Sequence, residues 1–426
     1  FTPELGLTLL GQMHERRGER VRDPLMASAV AFGDDAGVLV IVSVDICMLS
    51  TPFVRMVQQE WAQQTSLPPG SLLLHATHTH VAPTEMTLLA AEAGPQFVDR
   101  LRQAIVQAAL EAFRRMEPGD VYAGTGRMEE MGWNRRAMFA DGSSVMYGRA
   151  SDPGFVGLEG PRDPALSVLF HRCPQGGVRG VVVNFSTHPN TLENECFYSA
   201  DIPGEVRRVL KRTLGPDMVV VYLTGAAGNT APSILDPPVE QQPWRGEEGL
   251  ARSGLYMAGE TLRVLAACTE PMPHPTLGLE NFSLRIPIRE WPHQEDRSYP
   301  QPLLQETWAA ARPYYEQAEK DWLRRLAEES PVDVRLTVAR VGDAVFCTNP
   351  AELFVEFGLQ IRENSPARVT FISELTDGYV GYVPTTLAFS RGGYETWPAP
   401  TSQLVPEAGE LIVEATEGMM GRVFGG

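Results

Sequence analysis

The sequence predicts an α/β protein: a mixed β-sheet core flanked by helices, with its candidate functional residues at strand ends and loops. Short apolar runs rich in valine and isoleucine alternate with segments of helical periodicity, which is the pattern of that class. Polar residues follow several of these runs directly, and ligands of α/β sheets gather at the carboxyl ends of strands. We expect a single domain over residues 1–426, with any subdivision near 271–275.

The individual elements follow from periodicity and from helix breakers. Gln96 to Met116 is the clearest helix. Its apolar positions, such as Phe97 and Leu101, recur every three or four residues, and Pro118 stops it. The predicted strands are Val38 to Ile46, Ser71 to Leu74, Leu166 to Phe170, Val178 to Phe185, Met218 to Leu223, Val334 to Ala339, Ala344 to Cys347 and Val369 to Ile372. The other predicted helices are Pro52 to Gln64, Pro203 to Leu214, Arg252 to Ala267, Leu303 to Ser330 and Leu353 to Arg362.

The predicted helix Leu303 to Ser330 carries an aromatic stripe. Trp308, Tyr315 and Trp322 stand seven residues apart along it. Such a stripe could be a ligand platform, but a helix face packed on the core is the commoner arrangement. We therefore expect these rings to pack in the interior.

The amino-acid composition disfavours several classes of binding partner. Lys and Arg total 36 against 53 Asp and Glu, so the formal net charge is −17. An acidic protein disfavours nucleic acid and anionic membrane as partners, because both attract basic surfaces. No apolar run approaches the roughly 20 residues of a transmembrane helix. The five cysteines show no paired spacing, so we expect no disulfide framework and no cysteine zinc site. The oligomeric state and the compartment, cytoplasmic or exported, stay open.

Two histidine segments stand out. His78 and His80 follow an apolar strand, and on an extended chain their side chains share one face. Two imidazoles there suit a divalent metal, or a ligand beside an acid–base group. His188 stands where the strand Val178 to Phe185 gives way to a loop. A structural role for each histidine remains an open alternative.

Other polar residues have structural interpretations of their own. Glu352 opens a helix, where an acid complements the helix dipole. Arg135 lies in a loop, where a solvated charge is expected. Tyr382 and Tyr394 lie in glycine-rich loops, where tyrosines often pack or hydrogen-bond. The small residues of Gly225 to Ser233 favour either a simple turn or an anion-binding nest.

Taken in order, these segments resemble the neutral, or non-lysosomal, ceramidase family, especially its shorter bacterial members. Each motif is weak alone, but seven or eight in the family's order are far more specific. The matching stretches are Thr77-His-Thr-His80, Asn134-Arg135, Asn184-Phe-Ser-Thr-His188, Ser199-Ala-Asp201, Gly225 to Pro232, Pro350-Ala-Glu352, Gly378-Tyr-Val-Gly-Tyr-Val-Pro-Thr385 and Gly393-Tyr-Glu395.

The resemblance implies a zinc-dependent hydrolase that cleaves an amide (N-acyl) bond with metal-activated water. Its zinc ligands would be His78, His188, Glu352 and Tyr382. His80 would be the acid–base group beside the metal. The cofactor would therefore be Zn²⁺.

The resemblance also implies a substrate-binding set. Arg135 and Tyr394 would contact the polar head of the substrate or the developing oxyanion. The backbone of Gly228, Asn229 and Thr230 would stabilise the same oxyanion. The partner would be a small-molecule or lipid-like N-acyl substrate.

Two departures from the family pattern affect that expectation. The serine proposed to act in ceramidases corresponds to Ala231, which has no hydroxyl, and neither Thr230 nor Ser233 is in register with it. The chain also stops about thirty residues past Tyr394, so no C-terminal immunoglobulin-like domain is expected.

Two alternative functions stay open. The same site would hydrolyse an ester, a lactone or a carbamate by the same attack of water. Loss of the serine would also fit a non-catalytic ligand-binding member, because a fold does not fix a function. Retention of every proposed zinc ligand and of His80 favours the hydrolase.

Overall fold

Sheets with helices packed on them build the part of the chain that the structure describes. This computed structural model describes residues 1–173, 176–233, 242–273, 275–300 and 309–425. The strands are β1 (Ala27–Asp34), β2 (Gly37–Val44), β3 (Leu72–Ala76), β4 (Asp120–Arg127), β5 (Trp133–Asn134), β6 (Arg136–Phe139), β7 (Ser144–Met146), β8 (Phe155–Leu158), β9 (Ala165–Arg172), β10 (Val178–Phe185), β11 (Val219–Thr224), β12 (Thr230–Ala231), β13 (Leu277–Ile286), β14 (Val332–Val341), β15 (Ala344–Thr348), β16 (Glu352–Leu353), β17 (Val369–Ser373) and β18 (Tyr382–Val383). The helices are α1 (Thr51–Thr65), α2 (Pro95–Arg114), α3 (Asp201–Leu214), α4 (Gly246–Ala267), α5 (Arg312–Glu328), α6 (Val355–Glu363), α7 (Thr386–Arg391) and α8 (Ala408–Gly425).

Each of the three larger sheets combines antiparallel strands with one parallel pair. Their strand orders are β1-β2-β3, β11-β10-β9-β4 and β13-β14-β15-β17. The parallel pairs are β2 with β3, β10 with β11, and β15 with β17. Because the two strands of a parallel pair run in the same direction, the loops that follow them leave from one end of each sheet. Three small sheets, β12-β5, β16-β18 and β7-β6-β8, lie among the loops.

A shared apolar core holds the three larger sheets together. Ile41 of β2, Val182 of β10 and Phe346 of β15 belong to one buried cluster. The remaining faces are covered by helices: α1 and α2 on the first sheet, α3 and α4 on the second, and α6 and α8 on the third. Burial on both faces explains why these strands are continuous apolar runs rather than alternating ones.

The predicted fold class is confirmed, and most predicted elements lie within a few residues of their expected bounds. The predicted helix Leu303 to Ser330 differs in its described part, since residues 309–311 form a turn and α5 begins at Arg312, while residues 303–308 lie outside the described residues. Within that helix Tyr315 and Trp322 are buried, as a core-packing stripe requires. Trp308 lies outside the described residues.

Strands β1, β4 and β13 and helix α8 are findings that the sequence pattern did not indicate. Strand β13 lacks an apolar run, since Glu280, Asn281 and Ser283 occupy it, yet it pairs with β14 along all ten residues. Helix α8 contains glycines that weaken helical propensity. Burial of Ile412 and Met419 on the third sheet supplies the stability that local propensity does not.

Two further observations concern the whole described chain. No helix in the described ranges is both long enough and apolar enough to cross a bilayer. All five cysteines lie within these ranges, and none of them forms a disulfide.

Candidate metal centre

Side chains from all three larger sheets meet where the parallel strands end. His78 and His80 follow β3, and His188 follows β10. Glu352 lies in β16, four residues after β15 ends. Ligand-binding residues of α/β sheets gather at the carboxyl ends of strands, so this convergence agrees with the positions of these residues in the sequence.

Backbone carbonyls fix both ring orientation and proton position in two of these histidines. His78 Nδ1 lies 2.8 Å from Cys47 O, and His188 Nδ1 lies 2.7 Å from Ala227 O. A carbonyl oxygen only accepts, so each Nδ1 must carry the proton. In the neutral form of each ring the lone pair then lies on Nε2, which is directed into the site.

The turn at His78 is set by the fold as well. Its φ of 69° lies in the left-handed region, which a residue other than glycine adopts only when its surroundings compensate for the strain. The His78 N–H donates to Ile46 O at 2.9 Å, while the ring holds Cys47 O. These two hydrogen bonds to the loop after β2 hold the turn.

Both Nε2 atoms approach one carboxylate oxygen. His78 Nε2 and His188 Nε2 each lie 3.4 Å from Glu352 Oε2, and the three side chains are buried. Neither His188 Nε2 nor Glu352 Oε2 has a hydrogen-bond partner among the described residues. Neighbouring ligand atoms around a tetrahedral zinc with bonds of about 2.0–2.1 Å lie roughly 3.3–3.4 Å apart. The trio therefore fits a zinc ion by donor type, by spacing and by its unsatisfied atoms.

The electrostatics of the trio also favour a cation. Burial opposes ionisation of Glu352, yet the positive charge of His78 holds the pKa of this carboxyl well below its usual range. Burial likewise opposes a charge on His78, yet the neighbouring Cys47 and Glu352 raise its pKa well above the usual value. Burial, with Arg135 and His78, lowers the pKa of His188, which stays a neutral donor. A proton on His78 Nε2 and a bound cation are therefore alternative partners of the Glu352 carboxylate.

Two tyrosines flank the carboxylate. Tyr382 of β18 is the direct partner of Glu352 in a two-stranded parallel sheet. Burial and the charge of Glu352 raise the pKa of Tyr382 well above its usual value, so it remains a phenol unless a cation approaches. Tyr379 Oη donates to Glu352 Oε1 at 2.9 Å. Sequence analysis predicts no role for Tyr379. Its position three residues before Tyr382, in the same glycine-rich loop, is the sequence feature that could have indicated one.

His80 lies beside the trio. Its Nε2 is 3.4 Å from His78 Nε2, and its Nδ1 is 3.5 Å from Glu193 Oε2. Glu193 is an ionised carboxylate: burial opposes its charge, but Arg245, 2.5 Å away, and His80 lower its pKa. Burial lowers the pKa of His80 to about 4. Sequence reasoning did not find Glu193, because its partner Arg245 is far along the chain.

Arg135 is buried, which differs from the solvated charge expected of a loop arginine. Its guanidinium donates to Glu395 Oε1 at 2.9 Å, to Gly228 O at 3.0 Å and to Tyr382 Oη at 3.2 Å. Glu395 also accepts from Arg136, whose guanidinium is paired with Glu159 as well. This pairing explains how a charge is retained in the interior.

Two backbone N–H groups of the stretch Gly228 to Thr230 already have hydrogen-bond partners within the protein. Gly228 N donates to Leu353 O at 2.9 Å, and Thr230 N donates to Ala227 O at 3.0 Å. These bonds use two of the N–H groups expected to meet an oxyanion. The first bond ties the stretch to the segment that carries Glu352, and the second lies within the loop itself. Ala231 is fully buried in β12.

The remaining predicted residue, Tyr394, packs against Tyr382 with ring centroids 5.6 Å apart. A cavity of about 240 Å³ opens above the cluster. Tyr394, Arg135, His80 and Glu352 line it. The structure thus brings His80, Arg135 and Tyr394 to a cavity that His78 and Glu352 of the trio also line.

Comparisons with solved structures agree with this arrangement at the level of the fold. Neutral ceramidase from Pseudomonas aeruginosa superposes with a TM-score of 0.76 at 18% identity, over 98% of this chain and 72% of that one. A ceramidase complexed with C2 superposes with a TM-score of 0.74 at 18% identity, over 98% and 73% of the two chains. No protein-family model matches the sequence, and no curated protein does. The chain therefore has the neutral ceramidase fold along 98% of its length, and the resemblance predicted from its motifs is confirmed.

Proposed function

We propose that this chain is a zinc-dependent hydrolase that cleaves a linear N-acyl amide bond. The observation that carries the proposal is the buried pair His188 Nε2 and Glu352 Oε2, 3.4 Å apart and without hydrogen-bond partners among the described residues. Two buried acceptors facing each other are costly unless a cation lies between them. The ceramidase fold supports the choice of an amide bond.

The proposed zinc ligands are His78, His188, Glu352 and Tyr382. Zinc held by them would polarise the substrate carbonyl and bring the pKa of a coordinated water to about 7. The Cys47 and Ala227 carbonyls hold the two imidazoles in the ligating tautomer.

His80 is the proposed acid–base residue. Its Nε2 faces the cluster, so it can accept the proton of the attacking water and return it to the leaving nitrogen. The Glu193 carboxylate beside Nδ1 favours a proton on that nitrogen, which keeps Nε2 available as the base.

Arg135 and Tyr394 are the proposed stabilisers of the oxyanion. Both line the cavity, and the guanidinium charge is held in place by Glu395. A well-placed donor of this kind contributes roughly 3–4 kcal/mol to the transition state. The absence of a hydroxyl at Ala231 fits attack by water rather than by a serine.

A metal analysis combined with a substrate panel tests the proposal. Purified protein should hold about one zinc per chain and should hydrolyse members of a panel of N-acyl amides of increasing acyl length. Matched esters, lactones and carbamates in the same panel separate amidase from the alternative hydrolases. Zinc bound with no turnover of any member would favour a ligand-binding protein instead.

Two histidine variants complete the test. His188→Ala should lose both zinc and activity. His293→Ala removes an exposed histidine outside the site and should retain both. Full activity in zinc-free His188→Ala protein would refute the proposal.

A further inference from the structure

A cysteine thiol lies next to two histidines of the proposed centre and is not used by the proposed reaction. Ligand atoms of Cys47, His78 and His80 lie within 4.8 Å of one another, and all three side chains are buried. All three also line the cavity. We propose that they form a second cation position, selective for soft, thiophilic cations, which competes with the proposed zinc site for His78.

The proposal depends first on which ring nitrogens of His78 and His80 hold protons. His78 Nδ1 bears a proton toward Cys47 O, so the lone pair of the neutral ring lies on Nε2. His80 Nδ1 has the Glu193 carboxylate at 3.5 Å and no hydrogen-bond partner among the described residues, so its proton is favoured on that side. The two Nε2 atoms face each other at 3.4 Å. A cation bound between them would take the place of a shared proton and accept the lone pair of each neutral ring.

The thiol decides which cation is favoured. Cys47 Sγ lies 3.6 Å from His78 Nδ1, and the ligand atoms of Cys47, His78 and His80 lie within 4.8 Å of one another. A thiolate with two imidazoles favours soft cations such as Cd²⁺ or Cu⁺, whereas the carboxylate of the neighbouring trio is a harder ligand. Binding would form a sulfur–metal bond and release the thiol proton to solvent, with no change of oxidation state.

Shared use of His78 makes the two positions mutually exclusive. His78 Nε2 lies 3.4 Å from Glu352 Oε2 and 3.4 Å from His80 Nε2. One lone pair can bind only one cation at a time. A soft cation captured by Cys47 would therefore remove a zinc ligand and occupy the proposed base, His80. This step of the inference rests on the proposed function.

Titration of the zinc-loaded protein with CdCl₂ tests the proposal. We expect a thiolate-to-cadmium absorption band that saturates at one cadmium per chain, with release of one zinc to a zinc-sensitive dye. Cys47→Ser keeps the backbone carbonyl that holds His78. It should lack the band and should retain zinc at cadmium concentrations at least about tenfold higher. Cys47→Ala provides a second variant if the serine protein folds poorly.

Cys268→Ser is the matched control, since this half-buried thiol donates to Ala123 O and lies outside the cavity lining. It should behave as the parent does. A band of parental strength in both Cys47 variants would overturn the second position. A Cys47-dependent band without zinc release would overturn the competition. A Cys47-dependent band in a parent protein that never binds zinc would support the second position while refuting the proposed function.

Discussion

Tyr379 and Glu352 are joined by a 2.9 Å hydrogen bond from the phenol to carboxylate oxygen Oε1. The bond orients the carboxylate so that its other oxygen, Oε2, faces His78 and His188. An outer residue of this kind commonly affects metal affinity more than it affects the reaction itself.

We expect Tyr379→Phe to weaken zinc binding by about 10- to 100-fold while leaving most activity at saturating zinc. Competition with a chelator measures the affinity. Tyr256→Phe is the control, because that phenol binds the backbone at Glu129 and Glu130. Unchanged zinc affinity in Tyr379→Phe would show that the hydrogen bond does not orient the ligand.

Replacement of Glu193 tests the proposed role of His80. Glu193→Gln removes the charge beside His80 Nδ1, so the proton is no longer favoured there. We expect kcat to fall by about 100-fold at unchanged zinc content, within the range of general acid–base contributions. Glu193→Asp should recover part of the loss. Loss of zinc together with activity would instead indicate a collapsed site, which thermal unfolding would reveal.

A substitution at Gly228 tests how closely the loop after β11 packs against the segment that carries Glu352. A methyl group at Gly228 would collide with the backbone carbonyl of Glu352. We expect Gly228→Ala to displace that segment and to weaken zinc binding by at least about tenfold. Gly259→Ala is the control, because nothing lies within 4 Å of its added methyl group and α4 should gain about 0.5–1 kcal/mol. Equal zinc affinity in both variants would contradict this prediction.

The stability of the folded protein should depend on pH through the buried carboxyl group of Asp377. Burial raises its pKa to about 6 from an ordinary value of 3.8, with Arg335 opposing the rise. Between these values the folded state is protonated while the unfolded state is ionised, so unfolding releases a proton and stability falls as pH rises. Above about pH 6 the folded protein contains a buried carboxylate, and the loss is complete.

Asp377→Asn should therefore be more stable than the parent by up to about 3 kcal/mol near pH 8, and the difference should shrink toward about pH 4. Asparagine tolerates the local φ of 63° and keeps the oxygen that accepts from Leu74 N and Gln58 Nε2. Urea unfolding across this pH range gives the comparison. A difference that is constant with pH would contradict the raised pKa.

The parts of the site that follow from local pattern were predictable from the sequence. His78, His188 and Glu352 each follow an apolar run, and the ends of such strands meet. The fold class follows from the same runs, because burial on both faces produces continuous apolar strands. Strand β13 escaped prediction because its stability comes from pairing with β14 rather than from its own composition.

Residues that act through distant partners could not be predicted in this way. Glu374 is an example: its carboxyl group accepts from Ala227 N and Leu353 N, which joins the segments that hold His188 and carry Glu352. Nothing in the sequence around Glu374 indicates those partners. The same holds for Cys47, whose thiol lies 3.6 Å from Nδ1 of His78, 31 residues along the chain.

The rings of His78 and His188 are each anchored by a hydrogen bond to a backbone carbonyl of the chain itself. We therefore expect a newly synthesised chain to finish folding where metal is scarce and to be loaded later. In such a protein, metal supply rather than chain collapse would decide when activity begins.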